Sequence, residues 1–192
     1  MNEKQKIVVA ITGASGSIYA YRLLKYFSEL SAQIETVDIV FSGNAKDVWN
    51  HELPNNSFKE FLFRVFENQD FFAPFASGSA AYDTMIICPA SMGSIGRIAN
   101  GISNDLISRA ADVMLKERKK LLIIPRETPF NLIHLRNLTQ LTEAGAIIIP
   151  SSPSFYSLPK NIDALVDTVV HRIIAMTGLD VDMFRWGRGI EN

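Results

Sequence analysis

Ile7-Val8-Val9-Ala10-Ile11-Thr12-Gly13-Ala14-Ser15-Gly16-Ser17 decides the fold. Five apolar residues, mostly β-branched, run without a polar break and stop at a glycine turn; apolar positions at helical spacing then follow from Ser17 to Leu30. This reads as strand, turn, helix. A strand that is apolar throughout, rather than alternating, is one covered on both faces, as in a parallel sheet between helical layers. Similar runs recur at Ile34–Phe41, Thr84–Cys88, Leu121–Pro125 and Ala146–Pro150, each leading into a helix-like segment. The predicted class is therefore α/β, a doubly wound, mostly parallel sheet with helices on both faces. Helical spacing is clearest over Asn104–Arg118, Asn131–Ala144 and Ile162–Thr177. Between Leu53 and Phe75 the phenylalanines hold no single period. That stretch is assigned a helix at Phe58–Phe63, a short strand at Arg64–Glu67 and then a loop.

The 192 residues, 47% of them hydrophobic, suit one domain over residues 1–192, with residues 180–192 as a C-terminal tail. Nineteen Lys and Arg against twenty Asp and Glu leave a net charge of -1, too little field to draw nucleic acid or an anionic membrane. Any bound anion must be held by a local cluster. The single cysteine, Cys88, excludes an internal disulfide framework and a multi-cysteine zinc site, and the three histidines lack metal-ligand spacing. Met1–Lys6 is polar and carries no signal-like apolar stretch, so the expected compartment is the cytoplasm.

In open sheets of this class, ligands bind beyond the carboxyl ends of the strands. The residues there are small, hydroxylic or charged: Gly13-Ala14-Ser15-Gly16, Ser42-Gly43-Asn44, Ser91-Met92-Gly93-Ser94, Arg126-Glu127 and Ser151–Tyr156. The first turn lets the main chain approach a phosphate at a helix start, and its glycine spacing departs from the dinucleotide fingerprint, so a mononucleotide fits better than NAD. Ser42, Ser91 and Ser94, with Gly96-Arg97 opening the same helix as Ser91, supply further ends. The alternative for each serine is a helix N-cap worth about 1 kcal/mol. Arg109 and Lys116 lie two helical turns apart on one face; Arg126, Tyr156 and Arg172 come from later elements. Such cations suit a phosphate dianion, although Lys116 could equally pair with Asp112. Glu127 and Glu52, each near a strand end, are candidate proton donors or acceptors. Asp70–Phe75 and Phe184–Gly189 carry aromatic side chains that could border an apolar slot, pack in the core or dock a neighbouring subunit.

In their order along the chain, Thr12–Gly16, Ala76–Ser79, Cys88–Gly93, Arg109–Val113, Leu115–Arg118, Pro125–Phe130 and Phe155-Tyr156 resemble the UbiX family of flavin prenyltransferases. The resemblance implies a flavodoxin-like or Rossmann-like domain in a large homo-oligomer, a dodecamer, with flavin at a subunit interface. By position, Gly13, Ala14, Ser15, Ser42, Ser91, Met92, Gly93, Ser94 and Arg126 would hold reduced FMN. Arg109, Lys116, Glu127, Tyr156 and Arg172 would hold the phosphate of dimethylallyl phosphate. Glu127 would protonate the departing phosphate, and Ser15 and Glu52 would relay protons; no metal is implied. The product, prenylated FMN, would pass to a UbiD-type decarboxylase. Phe71 and Ala90 stand where the family often has tryptophan and cysteine. The competing readings are a flavin-dependent cysteine decarboxylase of the same fold and a flavin-binding regulatory subunit without activity.

Overall fold

The computed structural model describes residues 3–184. β1 (Gln5–Ile11) is fully buried from Ile7 onward, and its side chains alternate between two cores. Ile7, Val9 and Ile11 pack with Leu23, Leu24 and Phe27 of α1 (Ser17–Glu29) and with Val170 and Ile173 of α6 (Ile162–Thr177). Val8 and Ala10 face Ile95 of α3 (Met92–Ala99) and Leu106 and Ala110 of α4 (Leu106–Lys116). Successive strand residues point to opposite faces, and both faces are covered from Ile7 to Ile11, which leaves no place for a polar side chain over those five residues.

β2 (Ile34–Phe41), β3 (Arg64–Phe66), β4 (Thr84–Ala90), β5 (Lys120–Pro125) and β6 (Ile147–Ile148) complete one parallel sheet in the order β3-β2-β1-β4-β5-β6. This is the Rossmann order, and its direction reverses between β1 and β4. α2 (Ala45–Glu52) follows β2, and α5 (Leu132–Glu143) follows β5. Among the described residues no helix is long and apolar enough to cross a membrane.

Three expectations need revision. The helix expected at Phe58–Phe63 is one 3-10 turn, Phe58–Glu60. Phe58 and Phe61 instead join an aromatic cluster with Phe41, Trp49 and Tyr21, whose burial outweighs local periodicity. The last strand is shorter than Ala146–Pro150 because it lies at the sheet edge with β5 as its one partner; Ile149 and Ser151 still donate to the Ile123 and Pro125 carbonyls at 2.8 and 3.1 Å. α4 starts at Leu106 rather than Asn104, because Asp105 caps it by accepting from the Ser108 N–H at 2.7 Å. Of the C-terminal aromatic stretch, residues 185–189 lie outside the described residues.

Cys88 sits in β4 with no exposure, and burial pushes its thiol well above the ordinary value. It is an inert core residue, as its apolar strand suggested.

Where the sheet reverses, Thr12 ties the two strand ends together. Its hydroxyl donates to the Pro89 carbonyl at 2.7 Å and accepts from the Ser91 N–H at 2.8 Å, in a site only 1% exposed. The near-isosteric Thr12→Val strands a buried N–H and half-satisfies a buried carbonyl. It should lower the unfolding free energy by about 2 kcal/mol, read as a lower urea midpoint, whereas Thr12→Ser stays close to wild type. An unchanged midpoint for Thr12→Val would mean that the tie contributes nothing.

Candidate functional site

Beyond the carboxyl ends of β1, β2 and β4 lies a cavity of about 420 Å³, within the size range of small-molecule sites. Gly13, Ser42, Ser91 and Ser94 line it together, so the structure converges three strand ends that are 29 and 49 residues apart in the chain. Ser91 also caps α3, its Oγ accepting from the Ser94 N–H at 3.3 Å, so the cap and the ligand-facing reading hold at once. The N-cap residues of three helices, Asn44 for α2, Ser91 for α3 and Asp105 for α4, all face this cavity. Helix starts carry partial positive charge and unsatisfied N–H groups, which favours an anion there. Gly13 has an ordinary backbone conformation, and an added Cβ would meet nothing nearer than Asn44 at 3.6 Å. The chain itself does not require glycine at that point, and the space left beside it suits close approach by a ligand.

Sequence reasoning missed Asn68, Gln69, Asn104 and Asp105 in the cavity wall. Asn68 and Gln69 follow β3, so the strand-end rule applied to that short strand would have found them. Asn104 and Asp105 carried the signal of a helix start.

α1 begins at Gly16, whose φ of 112° is a left-handed conformation that favours glycine. Gly16 has no side chain with which to cap the helix, and Glu52 takes that role from α2. The Glu52 carboxylate accepts from the Gly16 N–H at 2.9 Å and the Ser17 N–H at 2.7 Å. Trp49, fully buried three residues earlier on α2 and donating to the Asn56 carbonyl at 2.8 Å, fixes the helix that aims the carboxylate. Burial alone would raise the Glu52 carboxyl. Hydrogen bonds from the Ser15 hydroxyl, the Ser17 and Gly16 N–H groups and the Ser17 hydroxyl outweigh it and hold the pKa below its ordinary value. Glu52 is therefore ionised at neutral pH and in contact with Ser15. From the far side Arg126 Nε donates to the Ser15 carbonyl at 2.9 Å, so residues 15, 52 and 126 form one cluster at the switch point.

Ser15, Glu52 and Arg126 do not themselves line the cavity, and neither do the remaining candidates. Ala14 and Met92 are buried, Gly93 is exposed, and none of the three lines its wall. Glu127 lies two residues past the end of β5, half-buried, and accepts from the Thr128 N–H at 3.0 Å. Arg109 donates to the Ala76 carbonyl at 3.1 Å and pairs with Asp112 at 3.4 Å, while Lys116 pairs with Glu117 at 2.7 Å. The alternative Lys116–Asp112 pair is thus replaced, because Arg109 takes Asp112. Arg172 borders a separate hollow of about 480 Å³ with Ser152, Ser154 and His171, and Tyr156 is 73% exposed. Of the aromatic loop, Phe75 is core and Phe72 is 99% exposed, with Phe71 between them. A larger hollow, about 830 Å³, flanks the end of α1 and the amino end of β2. That is the wrong end of the strands for ligand binding in this fold.

A doubly wound sheet with hydroxyls and helix starts converging at its switch point defines an α/β protein with a crevice suited to an anionic ligand. The model of the Flavoprotein family matches residues 1–174. A flavin prenyltransferase UbiX from Methanocaldococcus jannaschii is 44% identical over 185 residues, covering 95% of this chain and 98% of that one. The crystal structure of AnUbiX (PadA1) in complex with FMN and dimethylallyl pyrophosphate superposes with a TM-score of 0.86 at 37% identity, covering 96% of this chain and 100% of that one. A dodecameric FMN-dependent UbiX-like decarboxylase from Escherichia coli O157:H7 does so with a TM-score of 0.88 at 34% identity, over 94% and 99% of the two chains. The chain belongs to the flavoprotein family and, within it, to the UbiX-type flavin prenyltransferases.

The Glu52 cap gives a pH-dependent test. A carboxyl whose folded pKa is depressed stabilises the fold fully above its unfolded pKa, and the contribution fades as pH falls through the folded value. Glu52→Gln should therefore show a lower urea midpoint than wild type at neutral pH, with the gap narrowing as the pH is taken below the ordinary carboxyl range. A gap undiminished in acid would show that the charge is not its source.

Proposed function

We propose that this chain joins the dimethylallyl group of dimethylallyl phosphate to N5 and C6 of reduced FMN, releases inorganic phosphate and yields prenylated FMN for a UbiD-type decarboxylase. The observation that carries the reading is the Glu52 carboxylate held on the Gly16 and Ser17 N–H groups, with Arg126 donating to the Ser15 carbonyl, on the same turn whose Gly13 lines the polar cavity. The cavity's hydroxyls and helix starts fit a flavin mononucleotide, with Gly13, Ala14, Ser15, Ser42, Ser91, Met92, Gly93, Ser94 and Arg126 as its holders. When bound, the flavin supplies the nucleophilic ring atoms that accept the prenyl carbon.

The protein's own groups move protons and bear charge. Glu52 takes a proton through the Ser15 hydroxyl, a direction its depressed pKa favours. Glu127 protonates an oxygen of the departing phosphate. Arg109, Lys116, Tyr156 and Arg172 stabilise the negative charge that grows on that phosphate as the C–O bond breaks.

In one chain those four residues do not line the cavity, so a homo-oligomer that brings them in from neighbouring copies, up to a dodecamer, is part of the proposal. Exposed apolar side chains support it: Leu132, Ile133 and Leu135 at the start of α5, and Phe155 and Leu158 beside Tyr156. Each copy is read as one domain, working in the cytoplasm.

Anaerobic incubation with FMN, a reductant and dimethylallyl phosphate, followed by mass measurement of the flavin, tests the reading. A five-carbon gain with release of phosphate is expected; an unchanged flavin sinks it. Glu127→Gln should keep FMN affinity and slow phosphate release by at least about 100-fold, whereas wild-type turnover would remove Glu127 from the mechanism. Lys116→Ala should weaken the prenyl phosphate more than the flavin in parallel titrations, and equal losses would mean that the site is divided wrongly.

A further inference from the structure

Arg97 lies three residues beyond Ser94 on α3, and it is the sole cation among the described residues that line the cavity. Its guanidinium is poorly partnered. Nη2 donates to Ser94 Oγ at 3.3 Å and to Asp105 Oδ2 at 3.4 Å, and Nε is closed off from solvent with no partner among the described residues. Two other arginine–aspartate pairs in the chain show what a satisfied fork looks like. Arg64 Nε and Nη2 reach both oxygens of Asp38 at 2.8 Å, and Arg22 grips Asp167 through Nε at 2.8 Å and a second contact from Nη2. Charge-assisted bonds of this kind run to about 2.7–2.9 Å. The Arg97–Asp105 contact is one-pronged and long by that measure.

Asp105 offers Arg97 one oxygen only, because its Oδ1 is engaged by the Ser108 N–H and hydroxyl, each at 2.7 Å, as the cap of α4. Ser94 Oγ accepts from both Ser91 Oγ and Arg97, which fills its two acceptor positions and leaves its proton for another group. Free donors from Arg97 and Ser94 thus stand in a wall where the starts of α2 and α3, with the neutral N-cap residues Asn44 and Ser91, already favour negative charge.

We propose that Arg97 receives the phosphate monoester of the ligand held in this cavity, with Ser94 donating beside it, and that Asp105 keeps the guanidinium in place before the ligand arrives. The identity of that ligand as FMN rests on the preceding reading; the anion preference rests on Arg97 and the helix starts alone. The consequence is discrimination between FMN and riboflavin, which share the ring and differ in the phosphate.

Flavin fluorescence titration of the full chain with FMN and with riboflavin, together with protection against thermal unfolding by inorganic phosphate, tests this. Arg97→Met keeps the aliphatic stem and removes the fork. It should weaken FMN by at least about tenfold, shift riboflavin by less than about twofold and abolish the phosphate protection. Equal weakening of both flavins, or an unchanged preference between them, overturns the proposal. A wild type protected by phosphate that binds neither flavin would uphold the anion site and remove the cofactor reading instead. Should Arg97→Met not fold, Arg97→Gln carries the same expectations.

Discussion

Every helix begins with backbone N–H groups that no earlier turn can satisfy, and four such beginnings, three of them directly after strands, gather at the crevice where the strand order reverses. α2, α3 and α4 bring theirs to the polar cavity through Asn44, Ser91 and Asp105. α1 starts beside them, where Gly16 cannot cap it and Glu52 reaches across to do so. The partial positive charge at the crevice is thus a by-product of topology, and side chains then divide it. Glu52 neutralises the start of α1 and stays ionised, Asp105 does the same for α4, and the starts of α2 and α3 are left with neutral caps.

That division explains why two acidic residues at the same edge differ in availability. Asp105 spends one oxygen on its cap and half-holds Arg97 with the other. Glu52 binds the Gly16 and Ser17 N–H groups yet remains in contact with the Ser15 hydroxyl, so its charge is fixed in place without being sealed off. The rigidity behind it comes from the aromatic cluster under α2, where Trp49 meets Phe41, Phe58 and Tyr21 at edge-on angles.

Much of this was legible in the residues. Unbroken apolar runs at Ile7–Ile11 and Thr84–Cys88 fixed the strand class, because a sheet covered on both faces admits no polar alternation. The glycine turn and the serines at 42, 91 and 94 followed from the rule that ligands meet strand carboxyl ends. What periodicity could not supply was pairing at a distance: that Glu52 would cap a helix beginning at residue 16, or that Arg109 rather than Lys116 would hold Asp112. The Phe58–Phe63 misreading has the same origin, since ring packing against α2 outweighed the local pattern. Arg172 lines a hollow separate from the cavity and Tyr156 is exposed, placements that local periodicity does not encode.

Cys88, the single thiol of the chain, is sealed inside β4 with its proton tightly held. The surface accordingly offers maleimides no thiol to attack. A cysteine engineered anywhere on the exterior would be the one labelled position per copy, which suits the chain to dye attachment or spin-label distance measurement without first deleting a native residue.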